Sequence, residues 1–165
     1  MCVSSLDILR TIACTTAQST INDAIKTGDL NLVRLIIESG EVVGDDAFIY
    51  ACECTEIAHL LLALERGVNP AARDNIALRY ACENGHTEFV RLLLDLPLER
   101  GVNPAVRNNA ALRCACQQGQ TEIVRLLLAL PLERGVNPAA RDNSSLKAAS
   151  YYGYTEIVRC SLNCR

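Results

Sequence analysis

The feature that most constrains this chain is that it repeats itself every 34 residues. Residues 67–100 read GVNPAARDNIALRYACENGHTEFVRLLLDLPLER and residues 101–134 read GVNPAVRNNAALRCACQQGQTEIVRLLLALPLER, agreeing at 25 of 34 positions. A third copy, GVNPAARDNSSLKAASYYGYTEIVRCSLNCR, runs from Gly135 to Arg165. Upstream, residues 45–66 form a shortened copy, with AFIYAC and TEIAHLLLALER in matching places, and residues 21–40 a weaker one. LDILRTIA at residues 6–13 resembles the second half of a unit. A chain built this way makes one small unit many times, and each unit buries its apolar side against its neighbours.

Within a unit, two short helical patterns precede a segment that cannot be helical. Leu78, Ala81 and Cys82 have the i, i+3, i+4 spacing of one buried face, and Gly85 then ends that first helix in the left-handed conformation glycine tolerates. Asn75, Asn109 and Asn143 stand just before the first helices, where their side-chain oxygens are expected to cap them. Thr87 is expected to cap a second helix from Glu88 to about Leu96, whose apolar side is Phe89, Val90, Leu92, Leu93 and Leu94. From Pro97 to Asn109, Pro, Gly and Asn-Pro require a loop that returns the chain to the next unit.

The run Gly-His-Thr-Glu-Phe-Val-Arg-Leu-Leu-Leu at 85–94, its copies at 119–128 and 153–162, and Ala-Leu-x-x-Ala at 77–81 with its copies at 111–115 and 145–149, resemble the helix-turn-helix half of the ankyrin repeat. The tetratricopeptide repeat has the same period but fills it with two long helices, for which Pro97 and the 101–109 block leave no room. The resemblance, over roughly residues 20–165, implies an all-α ankyrin-repeat solenoid of stacked helix-turn-helix units joined by finger loops. The units fall at about 21–44, 45–66, 67–100, 101–134 and 135–165, in a single domain over 1–165 with a partial N-terminal helical cap at 1–20. Two departures stand out. Ile-Ala-Leu-Arg at 76–79 replaces the family's Thr-Pro-Leu-His, and the stretch from Leu92 to Val102 replaces its Leu-Leu-x-x-Gly-Ala link, so the finger need not be a regular β-hairpin. In the last copy Cys160, Ser161 and Cys164 replace Leu126, Leu127 and Leu130, as expected of a C-terminal cap; a longer array cut at this point is the other reading.

Half of the residues are hydrophobic but only 4% are aromatic, with no Trp, so the core must be aliphatic. A net charge of −3 and a pI near 5.4 leave no global basic field for nucleic acid or anionic lipid. Arg, Glu or Pro interrupts every leucine-rich stretch, so no membrane span is expected. Residues 1–18 lack a basic leading segment and are broken by Asp7 and Arg10, unlike a secretory signal. The expected location is cytoplasmic, with reduced cysteines, and a nuclear or host-cell location is the alternative.

Cys52, Cys82 and Cys116 occupy one position in successive first helices and are expected to pack as small core residues. Helices packed about 8–10 Å apart hold them too far from one another for a disulfide or a shared metal. In the Cys-x-Cys pairs, Cys52 with Cys54 and Cys114 with Cys116, the two members point to different sides of a helix. Cys160 and Cys164, at i, i+4, could cross-link in vitro. His59 is expected at solvent and His86 bonded to backbone in its turn. Glu88–Arg91, Glu122–Arg125 and Glu156–Arg159 read as surface pairs at i, i+3, and the loop residues Glu65, Arg66, Glu99, Arg100, Glu133 and Arg134 as solubilising. No phosphate loop, carboxylate pair or nucleophile signature appears, so no enzyme, cofactor or metal is expected.

The two best copies differ at 72, 74, 76, 80, 83, 84, 86, 89 and 95, mostly on the outer side of the first helix and on the finger. In ankyrin proteins this is the concave surface that grips partners. Carried over by position it comprises Arg73, Tyr80, Glu83 and Asn84, then Arg107, Cys114, Gln117 and Gln118, then Arg141, Tyr151 and Tyr152, with Tyr50 and Glu53 upstream. The expected function is a monomeric, non-catalytic protein–protein interaction module that binds neither nucleic acid nor membrane. A structural spacer or fragment of a longer array is the alternative, and a redox- or metal-responsive protein the remote one.

Overall fold

The computed structural model describes residues 20–40, 42–64, 68–131, 134 and 136–163. The expected cap at 1–20 lies outside these apart from residue 20, as do Glu65, Arg66, Glu133 and Cys164. Among the described residues all regular structure is helical, and the chain forms two compact units, residues 1–68 and 69–165.

The first unit holds α1 (residues 20–26), α2 (Leu30–Glu38), α3 (Asp45–Tyr50) and α4 (Thr55–Ala63). Asp29 caps α2, its carboxylate accepting from the Leu32 N–H at 3.0 Å. In the shortened copy only Cys54 separates Glu53 from Thr55, where other units have three residues (84–86). Without room for a glycine turn, α3 tightens into a 3-10 turn over Ala51–Glu53 and Cys54 becomes extended. Phe48, Ile57 and Leu61 are fully buried there.

The second unit stacks three helix pairs: α5 (Ala72–Asn84) with α6 (Thr87–Asp95), α7 (Val106–Gln117) with α8 (Thr121–Leu128), and α9 (Ala140–Tyr151) with α10 (Thr155–Asn163). The first helices α5, α7 and α9 pack in one layer and the second helices α6, α8 and α10 in another. Leu78, Phe89, Leu93, Leu112, Ile123, Leu127 and Ile157 are buried between the layers and the pairs. Gly85 ends α5 at φ +82, its N–H on the Ala81 carbonyl at 3.0 Å, as the pattern predicts.

The entry to each first helix differs from expectation. Arg73, Asp74 and Asn75 are all left-handed (φ 49, 56 and 56), and the same turn recurs at Arg107–Asn109 and Arg141–Asn143. The right-handed helix begins only after it. A left-handed residue other than glycine costs about 1–2 kcal/mol, less for Asn or Asp. Asn75 and Asn109 are buried and do not cap their helices, because a cap residue needs an extended backbone. Their side-chain oxygens instead accept the N–H groups of Asn103 (3.1 Å) and Asn137 (2.9 Å) in the next pair. Asn143 is exposed and accepts no such bond among the described residues. Arg113 steadies the middle turn by donating to the carbonyls of Arg107 (3.1 Å) and Asn108 (3.0 Å).

Three smaller expectations are corrected. Thr87 is the first residue of α6 rather than its cap, its hydroxyl directed back to the Gly85 carbonyl at 3.4 Å. Arg134 is not merely solubilising: its guanidinium donates to the carbonyls of Val102 (3.1 Å) and Leu94, tying the loop to the preceding pair. Ser161 remains buried in the register of Leu93 and Leu127, with its hydroxyl lacking a partner among the described residues. An unpaired buried hydroxyl destabilises, so Ser161→Ala is expected to raise stability by about 1 kcal/mol, visible as a higher urea midpoint.

Candidate protein-binding face

Every residue predicted for partner contact between 73 and 152 stands on the first helices or their left-handed turns, outside the core. Arg73, Tyr80, Glu83, Asn84, Arg107, Gln117, Gln118, Arg141, Tyr151 and Tyr152 are exposed, and Cys114 half-buried. Tyr50 (half-buried) and Glu53 (exposed) belong to the first unit, where the Lys26 ammonium lies 4.3 Å from the Tyr50 ring centre.

Along the second unit this side changes character in register. Equivalent positions carry Glu83, Asn84 and His86, then Gln117, Gln118 and Gln120, then Tyr151, Tyr152 and Tyr154. The His86 ring stacks on Tyr80 with centroids 6.4 Å apart, rather than bonding to backbone as expected. Tyr151 and Tyr152 meet edge to face at 5.0 Å, and Tyr152 stacks on Tyr154 at 6.1 Å. Tyr154 is itself seated over Gly119, whose φ is +72 and where a Cβ would come within 2.8 Å of the ring. Only glycine supplies both that conformation and that space. Tyr154 and Gln120 were missed from the sequence, although position 86 is among those that vary.

An ion pair joins two of the turns: Arg107 Nε and Nη2 both lie 2.8 Å from Asp74 Oδ2. The second helices carry a longer series. The expected pairs Glu88–Arg91 (3.5 Å), Glu122–Arg125 (4.0 Å) and Glu156–Arg159 (3.3 Å) are linked by Arg91–Glu122 (2.7 Å) and Arg125–Glu156 (2.6 Å). Pairs this exposed contribute little to stability, but together they engage Glu88, Arg91, Glu122, Arg125, Glu156 and Arg159.

The repeated cysteines are core residues. Burial raises the Cys52 thiol from its ordinary 9.0 to about 11, with help from the Glu53 charge, and raises Cys116 to about 12. Burial pushes Cys82 up as well. Cys54, half-buried on an extended stretch after the 3-10 turn, donates to the Glu56 carboxylate at 3.2 Å. Thiols that hold their protons in the folded state while unfolded ones lose them near pH 9 stabilise the fold fully below that pH. Their contribution fades as pH rises through 11–12. Urea midpoints are therefore expected to fall above pH 9, less steeply in a Cys52→Ala, Cys116→Ala variant. Equal slopes would contradict this origin.

Among the described residues, no three His, Cys, Asp or Glu side chains gather as a metal site would require, and no helix is long and apolar enough to cross a membrane. A family model described as ankyrin repeats (3 copies) matches residues 21–108 and 66–142. No curated protein matches the chain.

Proposed function

The chain belongs to the ankyrin-repeat family, and on that premise we propose that it binds a partner protein, without catalysis, through the exposed side of its first helices. Repeats of this family are generally protein–protein interaction modules and typically non-catalytic. One contrast carries the assignment to this side. The second helices pair most of their charges among themselves, whereas the first-helix side leaves Tyr151 84% and Tyr152 56% exposed. Tyrosine is a residue type that dominates binding energy at interfaces. The chain works as a monomeric scaffold inside the cell, its units dividing at about residues 45, 67, 101 and 135.

A pull-down from lysate of its own cells tests the reading, with wild type beside a Tyr80→Ala, Glu83→Arg, Tyr151→Ala variant whose helicity is unchanged. A protein held by wild type and lost by the variant supports it. Equal retention by both would move binding to another face, and retention by neither would favour a spacer.

A further inference from the structure

Charge is unevenly spread along this acidic chain. Residues 1–68 carry four Lys or Arg against ten Asp or Glu, while residues 69–165 carry twelve against nine. The excess of the second unit lies on one side: its first helices and left-handed turns (73–84, 107–118 and 141–152) hold six basic residues against three acidic, and the remainder balances at six and six.

Several of those cations are engaged. Arg107 closes on Asp74, and Arg113 donates to the carbonyls of the turn before it. Arg141 differs through one residue: Asn108 stands where Asp74 stands one copy earlier, so the equivalent ion pair does not form. Asp142, adjacent to it, holds the position from which Asp74 reaches the following copy and is not paired with Arg141. Lys147 is exposed, also without an ion pair among the described residues, and lies one turn before Tyr151 on the same side of α9. The tyrosines beside it are held in place by the seat of Tyr154 on Gly119, and a platform already ordered loses little entropy on binding.

Resting on the proposed binding role, we infer that the partner segment is an acidic peptide that docks on the first-helix side of the last pair, residues 141–152. Arg141 and Lys147 take its carboxylates, and the exposed ring surfaces of Tyr151 and Tyr152 take an apolar side chain. A nucleic acid needs a longer run of free cations along its phosphates; two cations beside a tyrosine platform suit a short protein segment.

Selection of random short peptides displayed against the full chain at low salt tests this. Enriched peptides are expected to carry at least two Asp or Glu beside an apolar residue. Their affinity should fall about tenfold with Arg141→Glu plus Lys147→Glu, and similarly with about 0.5 M salt. Asn108→Asp, which gives Arg141 the ion pair that Asp74 gives Arg107, is expected to weaken them several-fold with unchanged stability, and Arg159→Glu on the second helices to leave them unchanged. Peptides without acidic residues, or acidic ones indifferent to Arg141→Glu, Lys147→Glu and Asn108→Asp, would overturn the inference. If such peptides instead respond to Tyr80→Ala and Glu83→Arg, the binding role stands and only the acidic-segment inference fails. A dimer dissolved by Arg141→Glu, or tighter binding of a single-stranded oligonucleotide, would equally overturn it, and no enrichment would overturn both.

Discussion

Asn109→Ala is expected to destabilise the folded chain by about 2–3 kcal/mol, read from urea titrations followed by circular dichroism because the chain lacks Trp. Two losses combine. The Asn137 N–H, which the Asn109 side chain accepts at 2.9 Å, loses its partner, and alanine must hold a left-handed φ of 57 that asparagine tolerates better. Two further variants separate these. Asn109→Gly removes the bond but not the conformational tolerance, so its loss should be the smaller. Asn143→Ala keeps the left-handed strain (φ 61) where no N–H is accepted among the described residues, and should cost only about 1 kcal/mol. Equal losses at 109 and 143 would mean that the side-chain bond between copies contributes nothing.

Leu127→Ala is expected to cost about 3–4 kcal/mol, within the range for a fully buried leucine. Its position is repeated as Leu93 before it and Ser161 after it, so one truncation loosens a core shared between α8 and its neighbours. Unfolding should also broaden, because stability in a stacked array is a sum of units and their contacts. Leu162→Ala, at 50% exposure, should change the midpoint by less than about 0.5 kcal/mol. A loss at 127 no larger than that would remove the stacked core from the explanation.

What the sequence made legible was whatever recurs within one turn of helix. The spacing of Leu78, Ala81 and Cys82, the stop at Gly85 and the pairs at i, i+3 all follow from local geometry and are found where expected. The left-handed turns were not legible: three consecutive left-handed residues other than glycine run against local preference, and the contacts that brace two of them, the N–H of the next copy at Asn75 and Asn109 and the Arg113 guanidinium at the middle turn, lie beyond local sequence. Arg91 with Glu122, Asp74 with Arg107, and Arg134 on the Leu94 carbonyl were missed for the same reason, since each joins residues about one period apart. On the proposed binding face positions were legible but the states of their side chains were not. That Arg107 is paired while Arg141 is not turns on the single change from Asp74 to Asn108, and that Tyr154 joins the tyrosines turns on the space left by Gly119.

The most direct test of the binding account is photo-crosslinking from two positions that differ only in the layer they occupy. A photoreactive amino acid would replace Gln117 on the first-helix side in one sample and Glu122 on the second-helix side in the other, each irradiated in lysate of the protein's own cells. The account predicts a discrete protein adduct from position 117 and none from position 122. Adducts from 122 alone, or the same adducts from both, would contradict it.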